Sequence, residues 1–382
     1  MSGPLEGVLV ADFSRVLAGP FATQLLGDLG ADVIKVERPG SGDDTRGWGP
    51  PFADGRSTYY LAVNRNKRSV ALDLGGEEGR RDARALAERA DVLIHNFRAG
   101  GAERFGLAPD RLWRANPGLV YCAISAFGSQ DPEGLPGYDF LAQAMGGLMS
   151  ITGPAEGEPT KVGVALVDVM TGMNAAIGIL AALAERERTG RGRRVEVDLL
   201  SSVLAATVNQ VSGYLNTGEV PTRLGNQHPS VAPYETFATA DETIAVAVGN
   251  DAQFARLCAV LDVVGLAEDE RFATNRARIA HRDELSERLS AAFAARGRDE
   301  WVARLRAVDV PCGPVNDLAQ AVTLAASLGQ QPVVEFAHGD GTTSRGLAAP
   351  VRLEPDGTSY RRPPPELDEH GDEIRAWLRG SS

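Results

Sequence analysis

In the stretch Val162–Leu183 (VGVALVDVMTGMNAAIGILAAL), an apolar run from Val162 to Val167 ends in a single carboxylate, Asp168. Small and apolar residues follow, with Met173, Ile177 and Leu180 at helical spacing, so a buried helix is predicted to start here. Asp168 then falls at an N-cap, its carboxylate facing unpaired backbone N–H groups and the positive end of the helix dipole. Two readings are open from this window. Asp168 is an ordinary cap, or it is a carboxylate held ionised in an apolar seam so that it can attack an electrophile. A carboxylate is a weak nucleophile, and what it needs is positioning and partial desolvation rather than a base.

Other chemistry has less support. The five histidines (95, 228, 281, 338 and 370) are dispersed and no CxxC or HxxxH occurs, so no metal site is expected. Cys122, Cys258 and Cys312 are too few and too separated for a disulfide framework. Gly40-Ser41-Gly42 follows a predicted strand, yet the third glycine of a dinucleotide fingerprint is missing and no helix clearly opens there. The formal charge of −12 argues against nucleic acid as a partner. An anionic ligand must therefore meet a local basic patch. Lys35, Arg38, Lys67, Arg68, Arg98 and Arg104 offer one, several at the C-terminal ends of predicted strands; solvated surface charges are the competing reading.

The elements that would position these residues follow from the pattern. Gly7–Phe13, Asp32–Glu37, Ser69–Leu74, Asp91–Asn96 and Leu119–Ser125 read as short buried strands. Helices are predicted between several of them, at Phe21–Leu29 (stopped by Gly30) and Glu77–Arg89. This alternation predicts a doubly wound α/β fold with a parallel sheet. A Gly/Pro-rich loop after Gly128 precedes a helix over Tyr138–Ser150; Val195–Asp198 reads as a strand and Leu199–Leu215 as one helix. At 382 residues two domains are expected. Residues 216–236 read as a linker and 237–315 as a smaller α/β domain. The N-terminus lacks a signal-peptide layout and no run of about 18 apolar residues occurs, so a cytoplasmic location is expected.

Several segments then read together. VLVADFSRVLAGPFATQLLGDLGADVIKVERPGSGDDTR, NKRSVALDL, HNFRAGGAERFGL, PGYDFLAQAMGGLMSITG, VGVALVDVMTG, TGRGRRVEVDLL, RLGNQHPSVAPYETF and VPCGPV occur in order and span nearly the whole chain. Together they resemble the class III coenzyme A transferases, the CaiB/BaiF family. The resemblance implies transfer of CoA between carboxylic acids with Asp168 as covalent nucleophile. It also implies a Rossmann-like large domain built from an N-terminal part, 1–215, and a C-terminal part, 316–382, with CoA bound along it at Val16, Arg38, Leu72, Asn96, Phe97, Arg98, Arg104 and Tyr138. Two subunits would interlock as a homodimer, and acyl-CoA and a carboxylic acid would be substrates, with no permanently bound cofactor or metal. Three departures stand out. Position 95 is His where Glu is common, Ala99 replaces a frequent Pro, and the multi-glycine loop of formyl-CoA transferases is not visible, which argues against an oxalate/formate pair.

The implied chemistry exchanges acyl bonds of comparable energy, so it requires no ATP. Its oxyanions call for backbone N–H donors, for which Gly146-Gly147 is the candidate pair. An α-methylacyl-CoA racemase of the same family is the rival, and a non-catalytic CoA-ester binding protein a third reading. Racemases of this family use a His in a Gly-His-Asp motif. Here the motif is Gly137-Tyr138-Asp139, and a tyrosine, with an ordinary pKa of about 10, is a poor base at neutral pH.

Overall fold

Strands of this chain carry apolar residues at consecutive positions, so both faces of their sheet must be covered. The computed structural model, which describes residues 3–128, 135, 137–354 and 357–380, shows how. Strands β1 (Leu9–Phe13), β2 (Asp32–Glu37), β3 (Lys67–Ala71), β4 (Val92–His95), β5 (Val120–Ser125) and β6 (Arg194–Asp198) form one sheet. Every pairing is parallel, and the order is β3-β2-β1-β4-β5-β6, that of dinucleotide-binding folds. Val10 lies opposite Val33 and Val92 and faces one side, while Ala11, Ile34 and Leu93 face the other.

The first side is covered by α1 (Ala18–Asp28), α4 (Asp139–Met145), α5 (Leu166–Thr189) and α6 (Leu199–Ala206). The second is covered by α2 (Glu77–Arg89), α3 (Pro109–Ala115) and the C-terminal helix Gly371–Arg379, whose Ile374 and Leu378 are buried there. The doubly wound reading holds. By length and composition α5 could cross a membrane. In this fold it packs on α1, so closely that a Cβ at Gly172 would lie 2.5 Å from the Ala18 carbonyl oxygen. The buried stripe of α5 is Val167, Thr171, Ala175, Ile179 and Leu183. Met173 and Ile177, which set the predicted period, are 47% and 62% exposed.

The described residues divide into two compact units, Met1–Leu148 with Val162–Thr217 and Gln331–Ser382, and Met149–Lys161 with Gly218–Gln330. The cuts fall at 217/218 and 330/331, not at 215/216 and 315/316, and the second unit also takes in 149–161. The first unit's C-terminal part adds a hairpin, Val333–Ala337 with Thr343–Leu347, that the sequence reading did not mark. The second unit is a three-stranded antiparallel sheet packed with helices around Phe237, Phe254, Phe293 and Trp301. One of its strands, Tyr234–Ala238, occupies the end of the segment read as a linker. It qualifies because Phe237 is buried and the whole strand pairs across a tight turn with Thr243–Ala247.

Two predicted helices are shorter than expected. The Tyr138–Ser150 helix stops at Met145, capped by Gly146 with Gly147 at φ +84°. The Leu199–Leu215 helix breaks between Ala206 and Val208, whose φ is +34°. The loop predicted after Gly128 lies largely outside the described residues.

Candidate active site

Helix α5 begins without a cap of its own. Ala165 is its N-cap and makes no side-chain hydrogen bond, and Asp168 sits inside the first turn rather than at the cap. The expected cap assignment is thus corrected: the acceptor comes from a different helix. Asp139, the first residue of α4, accepts from the Val167 and Asp168 N–H groups on Oδ1 at 2.8 and 3.1 Å. Its Oδ2 accepts from Gln143 Nε2 at 2.5 Å, and Gln143 Oε1 accepts from the Val162 N–H at 2.9 Å. With these amides occupied, the Asp168 carboxylate has no hydrogen bond or ion pair among the described residues. Burial, and then the Asp139 charge, push its pKa up to about 7 from an ordinary 3.8.

Asp168 lines a cavity of about 810 Å³ in the first unit, at the C-terminal ends of the strands. The loops after β1 and β4, where the sheet's winding reverses, form part of its wall. A buried ionic network fixes those loops. Lys35 donates to the Ser14 carbonyl at 3.1 Å and to Asp43 at 2.8 Å; Asp43 in turn accepts from the Val16 N–H at 3.2 Å, holding Val16 at φ +71°. Asn96 accepts from the Arg15 N–H at 3.0 Å and donates to the Arg15 carbonyl at 2.8 Å. Lys67 donates to Asp12 at 3.2 Å and to the Pro20 carbonyl at 2.9 Å. Burial would raise the Asp43 pKa, but the Lys35 charge and hydrogen bonds from Lys35 and Thr45 hold it down to about 2. Burial takes Lys67 down to about 8 despite Asp12.

The basic cluster read from sequence therefore separates into two groups. Lys35 and Lys67 are fully buried structural cations, and Arg68 is paired with Asp32 and Glu373. Lys67 and Arg68 line neither this cavity nor a second, and Lys35, in the wall of the second, is spent on Asp43. Arg38 lines the first cavity but pairs with Asp44, as does Arg15. Among the described residues Arg98 and Arg104 have no ion pair. Val16, Arg38, Asn96, Phe97, Arg98 and Tyr138 line the first cavity with Asp168. Leu72 and Arg104 line the second cavity, of about 900 Å³, whose wall again includes Arg38, Phe97 and Arg98. Gly146 and Gly147 line neither, and the Gly146 N–H is bonded to the Ala142 carbonyl at 2.8 Å, so this pair is withdrawn as an oxyanion donor. Gly137 does belong to the wall: a Cβ there would meet the Ala126 Cβ at 1.9 Å.

A model of CoA-transferase family III matches residues 5–371. The chain belongs to CoA-transferase family III. It is 42% identical over 382 residues to a succinate–glutarate CoA-transferase of Agrobacterium fabrum, covering 98% of this chain and 96% of that protein. It is 38% identical to an acetyl-CoA:oxalate CoA-transferase of Acetobacter aceti, covering 98% of this chain and 95% of that one. A crystal structure of a CaiB/BaiF family protein from Brucella suis superposes with a TM-score of 0.88 at 42% identity, covering 99% of this chain and all of that one (100%).

In this family III CoA-transferase, no histidine of the first cavity is placed as an acid or base. His95, the one in its wall, is buried, and its two ring nitrogens are taken by the Phe97 N–H at 3.2 Å and the Tyr121 hydroxyl at 2.8 Å. Burial, helped by the Arg194 charge, pushes it down to about 4, so the ring is neutral at pH 7. Tyr138 is 60% exposed at the cavity edge. Sequence reasoning missed three contributors: Asp139 with Gln143, the Lys35–Asp43 pair, and Tyr59. Burial, and then the charges of Asp168, Asp139 and Asp43, raise the Tyr59 hydroxyl to about 12. The missing local cap was the available signal for Asp139, because Ala165-Leu166-Val167 offers no side-chain acceptor to the first turn.

A group whose folded pKa is raised stabilises the fold most below its unfolded pKa, and that contribution is lost as the pH rises through the folded one. For Asp168 the window runs from 3.8 to about 7. Asp168→Asn should therefore raise the melting temperature by ~2 °C or more at pH 8, with the gain shrinking towards pH 4. Thermal melts at both pH values check this, and an unchanged value at pH 8 would contradict it.

Proposed function

We propose that this enzyme moves CoA from an acyl-CoA donor to a free carboxylic acid, with Asp168 as the covalent nucleophile. The observation that carries the reading is an unpaired carboxylate in the first turn of a buried helix, facing a cavity with arginines in its wall. An Asp168 oxygen attacks the thioester carbonyl, the C–S bond breaks, and CoA thiolate leaves a mixed anhydride. The thiolate attacks the aspartyl carbonyl, freeing the first acid and forming an aspartyl-CoA thioester. The acceptor carboxylate attacks that carbonyl, releasing thiolate and forming a second anhydride. Finally the thiolate takes the acceptor's acyl carbon, and Asp168 returns as a carboxylate. A raised pKa favours the attack, because a more basic carboxylate is a better nucleophile once ionised.

The names of the relatives support short dicarboxylates, succinate and glutarate, as the exchanging acids; the mouse protein, 41% identical, is also a succinyl-CoA:glutarate CoA-transferase. The racemase reading has no support at Tyr138, where the proton-transferring histidine would stand. Asp168→Ala should abolish exchange between succinyl-CoA and glutarate, and hydroxylamine added with succinyl-CoA should derivatise Asp168 alone, read by peptide mass spectrometry. Full turnover in the alanine variant would sink the assignment.

CoA phosphates are assigned to Arg98 and Arg104, cavity-lining arginines that have no ion pair among the described residues. Either one replaced by Ala should raise the KM for CoA esters about 10- to 150-fold, the equivalent of ~1.5–3 kcal/mol for a lost charge-assisted contact. Unchanged values in both would place the nucleotide elsewhere.

The enzyme is also proposed to be an interlocked homodimer. Outward-facing Met173 and Ile177 support a partner subunit, as does the helix Leu318–Ser327, which buries none of its residues within the chain. Sedimentation at micromolar concentration should give twice the 40.4 kDa chain mass, and a fully active monomer would contradict it.

A further inference from the structure

A helix that starts without its own cap leaves its first amides to be satisfied from outside. In α5 the Leu166 N–H is bonded to the Val164 carbonyl at 2.8 Å and the Val169 N–H to the Ala165 carbonyl at 3.2 Å. The two between them, Val167 and Asp168, are both taken by one oxygen of Asp139. That oxygen is held in place by its own surroundings. Asp139 is 9% exposed, its other oxygen is held by Gln143, and Gln143 is fully buried while fastening Val162 and the Val164 carbonyl. Gln143 thus ties the approach to the nucleophile's turn, and Asp139 ties the turn itself.

We propose that Asp139, braced by Gln143, is a positioning residue of the transfer reaction: its carboxylate caps α5 from outside the helix and fixes the turn that presents Asp168. The inference rests on Asp168 being the nucleophile. The same contact sets a like charge beside Asp168 while occupying the amides that would otherwise stabilise its ionised form. Both effects make the nucleophile more basic. Few other groups oppose them. Tyr59 faces the pair from the short helix Thr58–Val63, and its hydroxyl is itself held protonated. Arg15 and Arg38, from the loops after β1 and β2, line the same cavity but are paired with Asp44, and Arg98, from the loop after β4, lines it without being among the charges that shift Asp168. From β6 come Arg194 and Glu196, paired with each other, and Asp198, which caps the Ser201 N–H; from β5 comes Tyr121. Ala18 and Leu199, which α1 and α6 give to the wall, carry no charge.

The test compares Asp139→Asn, which keeps an oxygen for the two amides and removes the charge, with Asp139→Ala, which removes both. The first readout needs no substrate. In full-length enzyme carrying 13C-labelled aspartate carboxylates, the Asp168 resonance is assigned by its loss in Asp168→Asn and titrated by NMR. In Asp139→Asn its midpoint should fall by about one pH unit. A midpoint that does not move overturns the inference. The second readout is steady-state exchange of succinyl-CoA with glutarate at pH 8. Asp139→Ala should lose at least about tenfold in kcat with KM for the CoA ester unchanged, and Asp139→Asn should recover most of that loss. A variant that raises KM and leaves kcat intact would make Asp139 a CoA contact and overturn the positioning role. Failure of the nucleophile assignment shows separately, as hydroxylamine that leaves Asp168 unlabelled in the wild-type enzyme.

Discussion

A helix N-terminus presents donors that must be satisfied, and in this enzyme that requirement decides how the first turn carrying Asp168 is held. The core helix opens on Leu166 and Val167, apolar residues unable to cap, of which Val167 is buried. Its amides turn to Asp139, and the shortage of local acceptors thereby becomes a bond between α4 and α5. The cap, Asp139, and the cavity-lining Asp168 are separate carboxylates. Had Asp168 been its own cap, the amides would have stabilised its charge and lowered its pKa, the opposite of what is found.

The second constraint is the buried ionic network beneath the cavity loops. Lys35 and Lys67 are spent inside, on Asp43 and Asp12, and Asp43 in turn holds the loop that carries Val16. Loss of one partner from a buried pair typically costs about 3–5 kcal/mol, because the other charge is left uncompensated. Among the described residues Arg98 and Arg104 carry no ion pair, in a fold whose net charge is −12.

Much of this was legible in the residues alone. Consecutive apolar positions flanked by Gly and Pro marked the strands and the doubly wound sheet, because a strand buried on both faces has no polar side to show. The family motifs, being spread over the chain in order, pointed to Asp168 and to the loop residues Val16, Asn96, Phe97 and Arg98 that line its cavity. Burial of the core helix was foreseen while the buried face was not: Val167, Thr171 and Ala175 face the sheet, and the bulkier Met173 and Ile177 face outward. Small residues are what lets α1 come close at Gly172, and periodicity weighted by hydrophobicity cannot see that.

Partnerships between distant residues were decided by the tertiary structure. Nothing beside Lys35 or Lys67 in sequence distinguishes a buried ammonium from a phosphate ligand, since the difference lies in carboxylates brought up by other segments, Asp43 from the loop after β2 and Asp12 from β1. The same holds for Gly146, whose amide is consumed by the end of its own helix, and for the strand Tyr234–Ala238, which exists because Thr243–Ala247 folds back upon it. Local pattern fixes which segments are helix or strand and which faces are apolar, because those preferences act within a few residues. Capping from another helix, pairing of buried charges and the pKa of a carboxylate depend on what lies across space, and that is set only once the chain has folded.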